Sequence, residues 1–136
     1  IDVRSKLMVQ LRNDIVDRKP VKRWGQDRVT LLGDAAHPTT PNLGQGACQA
    51  MEDAVVLASC LRTASDVPAA LRSYEDLRMA RTANITNQSW LIGKICQWEN
   101  PLACWLRNKL SQTTLARRSG LQMIEKMCSH EMPDLG

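Results

Sequence analysis

Apolar residues first recur at helical spacing at Val3, Leu7, Met8 and Leu11, which predicts a helix over residues 1–11. From Ile15 to Trp24 they alternate imperfectly with charged residues. Pro20, with no N–H to give a ladder, limits that stretch to an edge strand. Gly25-Gln26-Asp27 reads as a turn, and Arg28 to Leu32 as a short strand, β-branched and apolar enough to be buried on both faces. A loop from Gly33 to Gly46 follows. Beyond it Ala47, Cys48, Ala50, Met51, Ala54, Val55, Ala58 and Leu61 repeat at helical spacing, a stripe broad enough for a buried helix.

Thr63 to Val67 breaks that pattern, with Ser65-Asp66 placed to cap a new helix ahead of Pro68. One long helix then runs from Pro68 to about Trp98, anchored by Leu71, Tyr74, Leu77, Met79, Ile85, Leu91, Ile92 and Ile95. Glu99-Asn100-Pro101 stops it, because the residue before a proline avoids helical backbone. Leu102 to Leu110 begins another helix, Gly120 interrupts, and Leu121 to Cys128 forms a short last one before a tail. The chain opens as mixed α/β and closes all-helical, in two parts, residues 1–98 and 99–136.

A chain of 136 residues suits one domain and buries roughly two-thirds of its unfolded surface. It starts at Ile1 without Met or a signal pattern, as a mature, trimmed or partial chain would. No apolar run approaches the roughly 20 residues of a membrane span. The net charge of +4 gathers at Arg18, Lys19, Lys22 and Arg23, but one Tyr, no Phe and four Trp give no basic–aromatic interleaving. The charge is therefore expected to be solvated surface, with no nucleic acid as partner. Five widely spaced cysteines without a C-x-x-C, beside only two histidines, argue against zinc. Cys48, Cys60, Cys96 and Cys104 fall in helical patterns and are expected to be small buried apolar groups. A reducing compartment, cytoplasm or plastid, fits best. The sequons at Asn84 and Asn87 lie inside a predicted helix and are taken as chance.

The loop is where chemistry concentrates. Gly33 closes the strand without a side chain, so another surface can approach its backbone. Asp34 then stands at the strand's carboxyl end, the ligand edge of an open α/β sheet, where a carboxylate can accept hydrogen bonds from hydroxyls. Pro38 and Pro41 stiffen the loop, and Gly44-Gln45-Gly46 exposes peptide N–H groups where the helix begins, favouring negative charge in a ligand. This is no dinucleotide fingerprint by itself, since position 49 is Gln and the glycine pair lies a dozen residues past the strand.

The ordered string "RVTLLGDAAHPTTPNLGQGACQAMEDAVVLASCL", residues 28–61, resembles the second flavin-binding motif of the class A FAD-dependent monooxygenases. Gly-Gln-Gly and Glu52-Asp53-Ala54 are similar to the zeaxanthin-epoxidase-like and salicylate-hydroxylase-like branch, with its plant monooxygenases. The likeness extends to "DRKPVKRW" upstream and to Tyr74-Glu75-x-x-Arg78-x-x-Arg81 downstream, and fades past about residue 100. It implies the end of a Rossmann-like FAD-binding domain over residues 1–98, with short strands, the flavin loop and its helix, then a helical extension and tail over 99–136. It also implies that Asp34 binds the ribityl hydroxyls of FAD, that Pro41 lies near the isoalloxazine ring, and that Gly44, Gln45, Gly46 and Ala47 offer N–H groups to the flavin's pyrimidine edge.

The implied reaction reduces FAD with NADH or NADPH. A flavin C4a-hydroperoxide then delivers one oxygen atom of molecular oxygen to a small organic substrate, an aromatic ring or an alkene. The cofactor holds the hard chemistry, and no residue is expected to be catalytic. His37 is expected to pack and to bond the loop. Glu52 and Asp53 are expected to support the fold, and Tyr74, Arg78 and Arg81 to anchor their helix. The family's Gly-x-Gly-x-x-Gly fingerprint is missing, since the seven glycines cannot form one. The chain thus looks like the carboxy-terminal part of such an enzyme, incomplete and inactive alone. Two other functions stay open: a non-catalytic helical interaction module with a relic motif, and a flavin reductase or oxidase without oxygen transfer.

Overall fold

The structure, a computed structural model, describes residues 17–129. The helix expected over residues 1–11 and most of the tail lie outside them. Among the described residues four α-helices follow one another: α1 (Gly46–Thr63), α2 (Val67–Cys96), α3 (Pro101–Ser111) and α4 (Thr114–Cys128). Local signals of the sequence start α2 and α3. Asp66 accepts the Ala69 N–H at 2.8 Å to begin α2, with Pro68 in its first turn. Asn100 accepts the N–H groups of Leu102 and Ala103 to begin α3 at Pro101.

Among the described residues no strand forms. The edge strand expected within residues 15–24 is irregular where described, and the buried strand expected over 28–32 has only an isolated bridge between Gln26 and Val29. The cause is a missing neighbour: backbone groups that a second strand would pair are satisfied by side chains of α2. Arg72 donates to Gly25 O at 2.9 Å and Val29 O at 3.3 Å, and the Tyr74 hydroxyl to Leu31 O at 3.4 Å. Nor is the segment buried on both faces, since Val29 is 67% exposed.

α1 and α2 pack antiparallel, with Gln49 and Asp53 facing Arg78 and Glu52 facing Arg81. A small apolar core of Trp24, Ala36, Val56, Cys60, Ala70 and Tyr74 sits where the loop, α1 and α2 meet. α1 does not bury the stripe its sequence predicts: of that stripe's eight residues Ala50 and Val55 are half-buried and the other six exposed, because the helix turns a different face to α2. Its buried residues are Gln49, Asp53, Val56 and Cys60, one row at i, i+4, i+7 and i+11, while Met51 and Leu61 face out. The expectation of buried thiols holds only for Cys60. Cys104 is partly covered, and Cys48, Cys96 and Cys128 are exposed. Gly120 does not interrupt a helix either. It lies inside α4, which Thr113 caps at its start by accepting the Ala116 N–H at 3.2 Å. A helical glycine costs about 1 kcal/mol relative to alanine, too little to break a capped helix.

Candidate functional site

The site grows out of the chain reversal at Gly33. Gly33 has φ +59° and an ideal Cβ there would lie 3.2 Å from the Ala50 Cβ, so glycine meets both a left-handed backbone and a close approach to α1. Gly33 O accepts the N–H groups of Ala36 and His37, each at 2.9 Å, folding Gly33–Ala35 into a 3-10 turn. Asp34 is on that turn and solvent-exposed. Its Oδ1 lies 3.7 Å from where a Gly46 side chain would begin, which puts the carboxylate beside the first residue of α1.

That helix end is bare. α2, α3 and α4 each have a side chain accepting from their first turn, whereas Gln45 at the N-cap of α1 makes no such bond. The first α1 bond runs from Gln49 N–H to Gln45 O at 2.9 Å, so the N–H groups of Gly46, Ala47 and Cys48 have no partner among the described residues. The Gln45 N–H likewise has none. Gly44 differs from its sequence expectation: its N–H donates to Pro41 O at 3.0 Å, closing the 3-10 turn Pro41–Leu43, and is not free for a ligand. Its contribution is instead a left-handed corner, φ +63°, with open space where a Cβ would stand. Pro41 is exposed on the same loop. Asp34 thus stands beside Gly46, with Gln45 and Ala47 as the chain neighbours of Gly46, at an accessible edge.

Beneath this edge lies a polar, buried layer. The Asp53 carboxylate is fully buried and accepts from the Gly33 N–H at 2.9 Å, from His37 Nε2–H at 2.6 Å and from Arg78 Nε at 2.7 Å. Arg78, 1% exposed, also donates to Glu52 Oε2 at 2.6 Å and to the Gln49 side chain at 2.8 Å. Arg81 forks onto both Glu52 oxygens at 2.7 Å and reaches Met127 O in α4 at 3.1 Å. Burial works to raise the Asp53 carboxyl, but the hydrogen bonds from His37, Arg78 and the Gly33 N–H outweigh it and hold the group below its ordinary value. At Glu52 burial is likewise outweighed by the bonds from Arg81 and Arg78. Burial and the neighbouring Asp53 push the Tyr74 hydroxyl upward.

His37 is enclosed against Trp24, with ring centroids 5.4 Å apart, and its Nε2 is committed to Asp53. Its ring therefore faces inward, away from the exposed edge. The anchoring expected of Tyr74, Arg78 and Arg81 has its geometry in this layer.

The sequence passes over other residues that hold the loop. Arg18, read as solvated charge, donates to Ala35 O and Ala36 O, each at 3.0 Å. Thr39 and Thr86 share a hydroxyl bond at 2.9 Å, and Ser89 donates to Thr40 O at 2.6 Å. Asn42 donates to Ser89 O at 3.2 Å, filling the space that Gly93 leaves open. The available signal was a row of small and hydroxyl residues, Thr82, Thr86, Ser89 and Gly93, at helical spacing where an apolar row was expected.

The sequence profile of the FAD binding domain family matches residues 10–89 of this chain. Over 100 residues the chain is 56% identical to the aurachin C monooxygenase/isomerase of Stigmatella aurantiaca, covering 74% of this chain and 26% of that protein. It is 48% identical over 85 residues to the chloroplastic zeaxanthin epoxidase of Solanum lycopersicum, covering 55% of this chain and 13% of that one. The crystal structure of Klebsiella pneumoniae HpxO complexed with FAD and uric acid superposes with a TM-score of 0.68 at 38% identity, over 82% of this chain and 28% of that chain. The chain spans about a quarter of the length of the first curated relatives it matches.

Proposed function

The chain belongs to the FAD binding domain family, and from that premise we propose that it is the flavin-contacting, carboxy-terminal part of an FAD-dependent, NAD(P)H-using monooxygenase. The observation that carries this reading is the pairing of an exposed carboxylate, Asp34, with the one described helix that has no side-chain cap, α1. Unpaired N–H groups and the helix dipole attract an electron-rich acceptor, and a carboxylate beside them takes hydroxyl donors. FAD offers both: a polyhydroxylated ribityl chain and, next to it, a ring edge of carbonyl and nitrogen acceptors.

Asp34 accepts from the ribityl hydroxyls. Gln45, Gly46 and Ala47 donate their N–H groups to the pyrimidine edge, and Pro41 lies against the ring. When bound, FAD supplies hydride acceptance from NADH or NADPH and the activation of molecular oxygen. The residues of this chain bind it, orient it and keep its ring edge against a fixed positive dipole. None of them is a catalytic acid or base. The substrate is a small organic molecule, an aromatic ring or an alkene, and the zeaxanthin-epoxidase-like branch, with its plant members, remains the reading of the Gly-Gln-Gly and Glu52-Asp53-Ala54 variants. Residues 1–98 complete the FAD-binding domain, and residues 99–136 form its helical extension. Alone, the chain is expected to be inactive.

The test is Asp34→Ala in the full-length protein. A hydrogen bond to a charged group contributes about 1.5–3 kcal/mol, so FAD affinity should fall roughly 10- to 150-fold. Unchanged affinity in a titration of apoprotein would mean that Asp34 is only a turn residue.

A further inference from the structure

Asp53 makes contacts that fold support alone does not require. Its Oδ2 accepts from the Gly33 N–H at 2.9 Å and from His37 Nε2–H at 2.6 Å, so one oxygen ties both ends of the reversal that presents Asp34. The other oxygen is held by Arg78 Nε at 2.7 Å. Asp53 belongs to α1, two turns beyond Gly46, which at 1.5 Å per residue is about 10 Å along the axis. The same side chain therefore fixes the Asp34 turn to the helix whose bare N-terminus forms the other half of the site.

We propose that Asp53 is a positioning residue for flavin binding, setting the Asp34 carboxylate and the N–H groups of Gly46 and Ala47 at one spacing; this rests on the FAD reading above. Only a carboxylate suits the place. Asp53 accepts three bonds and donates none, from an arginine, a backbone N–H and a ring N–H on two sides. An asparagine offers one oxygen and one NH2 group, so it must turn a donor either toward Arg78 or toward Gly33. Its neighbour Glu52 provides a comparison. Glu52 bonds Arg78, Arg81 and Gln49 in the same network but does not touch the Gly33–His37 turn.

The experiment compares Asp34→Ala, Asp53→Asn and Glu52→Gln in the full-length protein by FAD titration, with urea stability measured alongside. Hydrogen exchange at the Gly33 amide is followed in the same proteins without cofactor. Asp53→Asn is expected to weaken FAD about tenfold and to speed Gly33 exchange by at least a similar factor. Glu52→Gln should lose stability while keeping affinity and Gly33 protection. If Asp53→Asn does not fold, His37→Ala, which releases only the far end of the turn, should weaken FAD in the same direction. The proposal is overturned by wild-type FAD affinity in Asp53→Asn, or in His37→Ala where that variant stands in. It is overturned equally by matching losses in Asp53→Asn and Glu52→Gln, which would mark both as scaffold only. Failure of the wild-type full-length protein to bind FAD would instead refute the flavin reading itself, and this inference with it.

Discussion

Replacing Arg78 by methionine tests whether charge or apolar packing joins the two long helices. Methionine keeps most of the side-chain volume but removes every donor. Arg78 is 1% exposed and gives bonds to Asp53, Glu52 and both the side chain and the carbonyl of Gln49. Glu52 keeps Arg81 as a partner, and Asp53 keeps His37 and the Gly33 N–H. The buried Asp53 nonetheless loses its guanidinium, and removing one partner of a buried ion pair costs about 3–5 kcal/mol. Against a total stability of roughly 5–15 kcal/mol that is a large fraction, and it should lower the melting temperature by on the order of 10–20 °C. Urea unfolding followed by far-UV circular dichroism measures it. Adding Asp53→Asn to Arg78→Met should cost less than the sum of the two, because the second change removes the stranded charge. A loss below about 1 kcal/mol, the level of an exposed pair, would refute the argument that this network joins α1 to α2.

The carboxyls of Asp53 and Glu52 are both held below their ordinary values. Their contribution is therefore complete above the unfolded-state pKa of about 4 and is lost as pH falls through the lower folded values, so acid titration should destabilise wild type more steeply than Asp53→Asn. Gly46 has no positive φ and opens α1, so Gly46→Pro should delete one free N–H and keep the body of the helix, while pushing Gln45, at φ −97° and ψ −8°, out of its helical backbone. Since a helix end contributes about 0.3–2 kcal/mol and 30 mV is about 1.4 kcal/mol, the flavin potential should drop by a few tens of millivolts at most; a folded, loaded variant at wild-type potential would count against the helix end. Two glycine changes should separate: Gly33→Ala, left-handed and against Ala50, should cost about 1–2 kcal/mol. Gly93→Ala should fall within about 1 kcal/mol of wild type, because the helical gain of alanine offsets the lost Asn42 bond. Equal stabilities in chemical denaturation would contradict both.

What the sequence shows well here is what its local chemistry decides. The Asp66 cap, Pro68 and Asn100-Pro101 act within a few residues, and the structure uses each of them. What it hides depends on partners far along the chain. Arg28 to Leu32 has strand composition, yet a strand needs a neighbour, and Arg72 and Tyr74 take that place. Periodicity places residues on one helix face without saying which face turns inward, so Met51 falls in the predicted buried stripe and Val56, which is buried, does not. The glutamine, threonine and serine positions that line the α1–α2–loop contact, Gln49, Thr82, Thr86 and Ser89, are absent from the predicted anchors because their partners are 29 to 49 residues away or lie in their own helix.

The 30-residue helix α2 serves two attachments at once: Arg78 grips α1, and Ser89, three turns further on, grips the loop at Thr40. The interval between them is a measured length of rod. An inserted residue would swing everything beyond it by about 100° and advance it by about 1.5 Å, so Ser89 would leave Thr40 even though every side chain was still present. Between residues 78 and 89 an insertion or deletion puts the two attachments out of phase, whereas a length change after Cys96 leaves both in phase. A single alanine inserted after Ala83 should therefore damage the loop more than any one substitution along the same stretch.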